Sequence, residues 1–245
     1  MKRIVLLGVA AFLLAMLVLL PARWANGLLP AGVTCTSWRG SIWRGQCLGL
    51  TIAQQPRPAI IDTLQWTLRP AALLRLRVNA DVALTWSQGD VTGKLELRRG
   101  GHILLHDVSA RALLDRELMG ALPRGWRGRL EAAQVELAMQ HRSLQMLSGE
   151  VTVNDLADSA GTALGSYRLT FPVATQAPFT GHLQDAGGPF EVIAQLSVAQ
   201  DRSWQLDGTV AARSAEAHAF DSQLEILGPA DASGRRRLSA AGSFN

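Results

Sequence analysis

The chain has 245 residues, 48% of them hydrophobic and 18% charged, with 24 basic against 20 acidic residues and a formal charge of +4. The positive excess is small and scattered, so it argues against a nucleic-acid-binding surface and for a moderately basic face toward solvent or anionic membrane. The length beyond the N-terminal apolar run suffices for one large domain or two small ones.

Met1, Lys2 and Arg3 precede an uninterrupted apolar run, residues 4–20, that ends at Pro21. The run lies at the short end of a bilayer-spanning helix and exceeds the usual core of a cleaved signal peptide. The best small residue downstream is Ala25, but Arg23 two positions before it makes a poor cleavage signal. Residues 1–24 therefore read as a retained single-pass anchor. Lys2, Arg3 and the α-amino group, opposed only by Arg23, hold the N-terminus in the cytoplasm and place residues 25–245 outside it. Trp24 sits where an interfacial aromatic belongs.

Cys35 and Cys47 are the only cysteines. In an oxidising compartment they are expected to form a disulfide. The stretch Thr34-Cys35-Thr36-Ser37-Trp38-Arg39-Gly40-Ser41-Ile42-Trp43-Arg44-Gly45-Gln46-Cys47 reads as a tight hairpin. A turn centred near Ser41 would set the cysteines directly opposite each other, within bridging distance. A redox-active or metal-binding pair would need closer spacing or a nearby histidine. Trp-Arg-Gly occurs three times, ending at Gly40, Gly45 and Gly128; the reading is that tryptophan caps a sheet layer and glycine permits the turn after it.

Beyond the hairpin, two-residue periodicity dominates. Ile60, Leu64, Trp66 and Leu68 alternate with Thr63, Gln65, Thr67 and Arg69. The pattern recurs from Leu76 to Trp86, in Val91, Leu95 and Leu97, in Val135, Leu137 and Met139, from Phe190 to Val198, and from Trp204 to Ala212. This is the mark of half-buried antiparallel strands. Gly100-Gly101, Pro123-Arg124-Gly125 and the run from Asp185 to Pro189 supply turns, as does Asp231-Ala232-Ser233-Gly234 before a last strand. Two segments, 109–122 and 214–227, show helical spacing, through Leu113, Leu114, Leu118 and Leu122 and through Phe220, Leu224 and Leu227. The expected fold is mainly β: one N-terminal transmembrane helix, then an antiparallel β-rich domain with two short helices, with a possible subdivision near 155–165.

No catalytic set emerges. His102 and His106, beside Asp107, have ligand spacing only on a helix; in the strand suggested by Ile103-Leu104-Leu105 they stand about 13 Å apart. His141, His182 and His218 are isolated, and acidic residues occur singly. The phosphate-binding, nucleophile-elbow and zinc-helix motifs are missing. Arg235, Arg236 and Arg237 form the one cationic run and alternate sides in a strand, laying one stem along apolar surface. The reading is a non-enzyme without metal or cofactor.

Several motifs, in order, resemble the N subunit of the type II secretion system. Gly40-Ser41-Ile42-Trp43-Arg44-Gly45 after the anchor is similar to that family's Gly-Thr-hydrophobic-Trp-Ser-Gly signature, with Ser41 at the threonine position. Trp66-Thr67-Leu68-Arg69-Pro70-Ala71-Ala72-Leu73-Leu74 resembles its Trp-x-Leu-x-Pro-x-x-Leu-Leu segment. Leu164-Gly165-Ser166-Tyr167, Asp185-Ala186-Gly187-Gly188-Pro189-Phe190 and the tail from Leu224 to Arg235 are similar to its later landmarks. The resemblance implies a single-pass inner-membrane protein whose periplasmic domain serves the machine exporting folded proteins across the outer membrane. It implies no catalytic activity.

Two functions of different class follow. One is an accessory assembly subunit that touches other inner-membrane secretion subunits or the secretin through exposed strand edges, with Trp38 and Trp43 as aromatic anchors. The other is a periplasmic groove that binds lipid or another amphiphile along its apolar sheet face. A dry core and a lipid groove need the same strand pattern.

Overall fold

The structure, a computed structural model, describes residues 8, 15–16, 19–53, 58–114, 125–213 and 228–243. It divides into two compact units, Met1–Leu97 and Arg98–Asn245. Strand order in the sheet follows chain order throughout, and every recorded pairing is antiparallel.

In the first unit, the 3-10 segment Ala22–Leu28 leads into β1 (Val33–Gly40), β2 (Arg44–Ile52) and β3 (Ala59–Leu68). A single helical turn, α1 (Pro70–Leu73), separates β3 from β4 (Arg77–Trp86), and β5 (Gly89–Arg98) closes the unit. Pro70 at the first helical position fits a short turn, because its missing N–H is one that a helix start leaves unbonded. Ala22, Cys47, Leu50 and Ala80 are buried here. Ser87 and Gln88 form the turn between β4 and β5.

The second unit holds β6 (His102–Leu114), β7 (Arg127–Gln140), β8 (Ser143–Ala157) and β9 (Ala163–Ala174), then β10 (Phe179–Asp185), β11 (Phe190–Val198), β12 (Ser203–Ala212) and β13 (Arg236–Ser243). On β11, Phe190, Val192, Ala194 and Val198 are buried and share one face by strict alternation. That face carries two apolar clusters. One gathers Leu114, Leu156, Leu164, Phe190, Val192 and Val210. The other gathers Leu144, Phe179 and Val198 beneath Trp204 and Phe171. Gly161 lies in the β8–β9 turn, inside this unit, where Asp158 Oδ1 accepts the N–H groups of Ala160 and Thr162, each at 2.8 Å.

The helix expected over 109–122 is corrected by β6. Residues from Ser109 to Leu114 continue that strand, with Leu114 buried and Leu113 about half exposed. Ala112 stands opposite Leu130, and Leu114 opposite Gly128. Cross-strand pairing and burial of Leu114 outweigh the helical preference of Ala and Leu, a weak local term. Residues 115–122 of that prediction, and all of 214–227, lie outside the described residues. So does most of the expected anchor; among the described residues no helix is long and apolar enough to cross a membrane.

Polar groups fasten the second unit at the Asp185–Pro189 turn. Burial pushes the Asp185 carboxyl up, but hydrogen bonds from Arg213 and the Val192 N–H, with the guanidinium charge, hold it below its usual value on balance. Arg213 Nη2 donates to Asp185 Oδ2 at 2.7 Å, and the Arg213 N–H donates to the Pro189 carbonyl at 2.7 Å. Tyr167 of β9 stands opposite Asp185, and the Tyr167 hydroxyl donates to the Leu164 carbonyl at 2.6 Å. Burial, and then the Asp185 charge, push its phenol up to about 12.

Tyr167 is the only tyrosine in the chain, so phenolate absorbance reads it alone. Titration of the folded protein is expected to give a midpoint of about 12, against 10.0 for an ordinary phenol. Because the folded value is raised, the associated stability is complete below the unfolded value and is lost as pH climbs through the folded one. A midpoint near the ordinary value in still-folded protein would show that the ring is not buried as described.

Candidate functional site

The region that gathers the sequence-predicted residues is the β1–β2 hairpin and the strand behind it. Gly40 pairs with Gly45 and Trp38 with Cys47, so the turn is centred between Ile42 and Trp43, not at Ser41. Gly40, at φ +83, makes the reversal; a Cβ there would meet the Arg44 carbonyl at 2.5 Å. Ser41 fastens the turn: its N–H donates to the Arg44 carbonyl at 3.0 Å, and its hydroxyl accepts the Arg44 N–H at 3.2 Å.

Cys35 and Cys47 are bridged, with Cα atoms 6.0 Å apart. They are not directly opposite, however: Cys35 faces Leu50 and Cys47 faces Trp38. A pleat alone would send residues three apart to opposite faces. The pleat changes phase at Gly49, which has φ +68 and sits where a Cβ would press on Thr36 Oγ1 at 2.8 Å. Cys47 and Leu50, three residues apart, are consequently both buried. That change of phase lets an offset pair form the disulfide.

Behind the hairpin stands Trp66 of β3, directly opposite Gly45. Its ring covers Gly45, where a Cβ would lie 2.4 Å from a ring carbon. Trp66 Nε1 donates to the Ile42 carbonyl at 2.8 Å, and its ring meets Trp38 edge to face, centroids 5.9 Å apart at 72°. Trp38 and Trp43 are both half-buried. The Trp43 carbonyl accepts the Leu68 N–H at 2.7 Å. Sequence reading found Trp38, Trp43 and both cysteines but not Trp66 as their support; the signal lay in the cross-strand register, which periodicity does not give.

The glycines of the Trp-Arg-Gly triplets serve different ends. Gly40 permits a turn, but Gly45 makes room for Trp66. Gly128 lies inside β7 below Leu114, where a Cβ would stand 3.2 Å from that side chain. The expectation of a turn after each triplet is corrected at Gly45 and Gly128.

Elsewhere, His102 and His106 both lie on β6, and His106 Nδ1 is 2.6 Å from Glu136 Oε2 on β7. Among the described residues no group of three or more His, Cys, Asp or Glu side chains could hold a metal ion. Arg235 pairs with Glu191 at 2.8 Å and Arg237 with Asp207 at 3.6 Å. These are exchanges among solvated groups, not a charged cleft.

Two substitutions test this construction. Cys35→Ser combined with Cys47→Ser is expected to lower stability by about 3 kcal/mol through the freed loop, measured by urea denaturation of the detergent-solubilised chain. Gly45→Ala must displace the Trp66 ring and is expected to cost about 1–3 kcal/mol by the same measurement, with loss of the exciton couplet of the tryptophan pair in far-ultraviolet circular dichroism. An unchanged midpoint for Gly45→Ala would refute the close ring–glycine contact.

Neither the search of curated proteins nor that of solved structures finds a match. A family model, type II secretion system (T2SS), protein N, matches residues 31–239. The match takes in the disulfide hairpin, the leucine-containing β3–β4 connection, the Asp185–Pro189 turn and the first half of β13. The chain belongs to the type II secretion system protein N family.

Proposed function

We propose that this chain is an accessory assembly subunit of the type II secretion machinery and acts by protein–protein contact. In this reading residues 1–24 anchor it in the inner membrane with the N-terminus cytoplasmic, and residues 25–245 work in the periplasm. Other inner-membrane secretion subunits or the secretin are its partners. No reaction, cofactor or nucleic acid enters.

The observation that carries the reading, beside family membership, is the sheet's pair of terminal strands. β1 and β13 come first and last in the strand order, and among the described residues their recorded partners are β2 and β12. A strand with one unpaired side presents N–H and C=O groups that another strand can satisfy. On β13, Ser239, Ala240, Ala241, Gly242 and Ser243 are small, uncharged and exposed, without the lysine or proline that commonly blunts an edge. β1 carries Trp38 beside the β1–β2 turn with Trp43, a half-buried aromatic pair of the kind that dominates binding energy.

The test is native purification of the full-length protein in mild detergent with mass spectrometry of what accompanies it. Stoichiometric recovery of a secretin or another secretion subunit is the expected outcome. Recovery of phospholipid alone, lost in Leu84→Glu or Leu95→Glu, would overturn it in favour of a lipid- or amphiphile-binding groove.

A further inference from the structure

The β3–β4 connection holds large apolar side chains in solvent on an ordered backbone. Leu74 is 89% exposed, Leu76 68% and Leu73 41%. Hydrogen bonds fix the turn: Ala72 N–H to the Arg69 carbonyl at 3.1 Å, Arg75 N–H to Ala72 at 3.0 Å and Leu76 N–H to Leu73 at 2.9 Å. Leu76 adopts φ 54, uncommon for a residue with a branched side chain. The leucines thus project from a built tip, and their exposure follows from its shape.

The position of this tip is informative. The Leu68 N–H, just before it, donates to the Trp43 carbonyl at 2.7 Å, and the Ile42 N–H next to Trp43 donates to the Leu20 carbonyl at 2.9 Å. Leu20 ends the apolar run. Pro21 then bridges to Ser41. The run therefore meets the sheet at the end where the leucine tip projects, and neighbouring strands at ~4.8 Å spacing put β1 and β4 within about 15 Å. Trp24, 59% exposed, lies in the 3-10 segment that follows the run.

Charge at this end fits an anionic surface. Arg23, Arg39, Arg44 and Arg75 are exposed there. Asp81 is held by Arg69 at 3.1 Å and Glu96 by Arg77 at 3.4 Å, which leaves those carboxylates compensated. Leucines flanked by arginine, without an acidic residue between Arg69 and Ala80, suit the boundary between headgroups and acyl chains.

We propose that Leu73, Leu74 and Leu76 insert into the headgroup–acyl boundary of the bilayer, with Arg75 on anionic headgroups, as a second membrane contact for the first unit. The proposal rests on the anchored reading above. It assigns the tip to lipid and leaves the sheet edges to protein partners.

The test uses the full-length protein in vesicles of phosphatidylethanolamine and phosphatidylglycerol, with a nitroxide on Leu74→Cys. Both native cysteines are bridged, so the introduced thiol is labelled alone. Ser87→Cys, exposed at the other end of β4 and about 30 Å away, is the control. Relaxation of the Leu74→Cys label by oxygen more than by a water-soluble nickel chelate, with the reverse at Ser87→Cys, is expected, and Arg75→Glu should reduce the difference. Equal access of the nickel chelate to both labels, in protein that resists alkaline carbonate, overturns the proposal. So does spin–spin broadening at Leu74→Cys, which would assign the tip to a second copy. Extraction by carbonate is the separate failure: it refutes the anchor, and the tip contact with it.

Discussion

Everything in this structure depends on one constraint: each strand satisfies its backbone through the strands next to it in the chain. Buried N–H and C=O groups must be paired, and here the pairing is local in topology, strand after strand. Among the described residues this ladder has no crossover connection that lays a helix over its faces. Its apolar residues must instead be gathered on one face, as Phe190, Val192, Ala194 and Val198 are on β11. It also leaves a first and a last strand.

Close side-chain contact across the ladder uses a repeated device. Three aromatic rings each lie over a glycine on the adjacent strand: Trp66 over Gly45, Phe171 over Gly181 and Trp204 over Gly242. In each case a Cβ on the glycine would come within 3 Å of the ring. A glycine in a strand contributes no packing of its own; the ring across from it restores contact and shields the backbone from water. The two units share this solution, so it belongs to the sheet and not to a particular site.

Much of the fold was legible from alternation. β11 and β12 follow the sequence pattern nearly residue for residue, and β3 and β4 do so apart from Ile60 and Leu76, which were read onto the apolar face but are 62% and 68% exposed. β7 and β8 did not yield as readily. The pairing of β7 with β8 slips between Ala133 and Glu136, that of β8 with β9 slips between Val153 and Leu156, and Gln134 and Asp155 have positive φ near these breaks. A bulge adds a residue and shifts the phase of every side chain after it, so a search for strict alternation loses the strand. The disulfide was foreseen from compartment, but its register was not, since the phase change at Gly49 depends on contact with Thr36. Leu73 and Leu74 were legible as part of a motif and Leu76 was read as the start of a strand's apolar face; their exposure required the turn that displays them.

Pairing in chain order also bears on how the sheet is made. Within each unit, a new strand meets a neighbour that precedes it immediately, so most closures span short turns and the entropy lost per step is small, the longer connections being residues 115–126 and 213–235. The hairpin of β1 and β2 needs nothing beyond β3 to complete the Trp38–Trp66 contact. Growth can therefore proceed from the N-terminal side as chain is delivered, with cysteine oxidation available as soon as the first hairpin has closed.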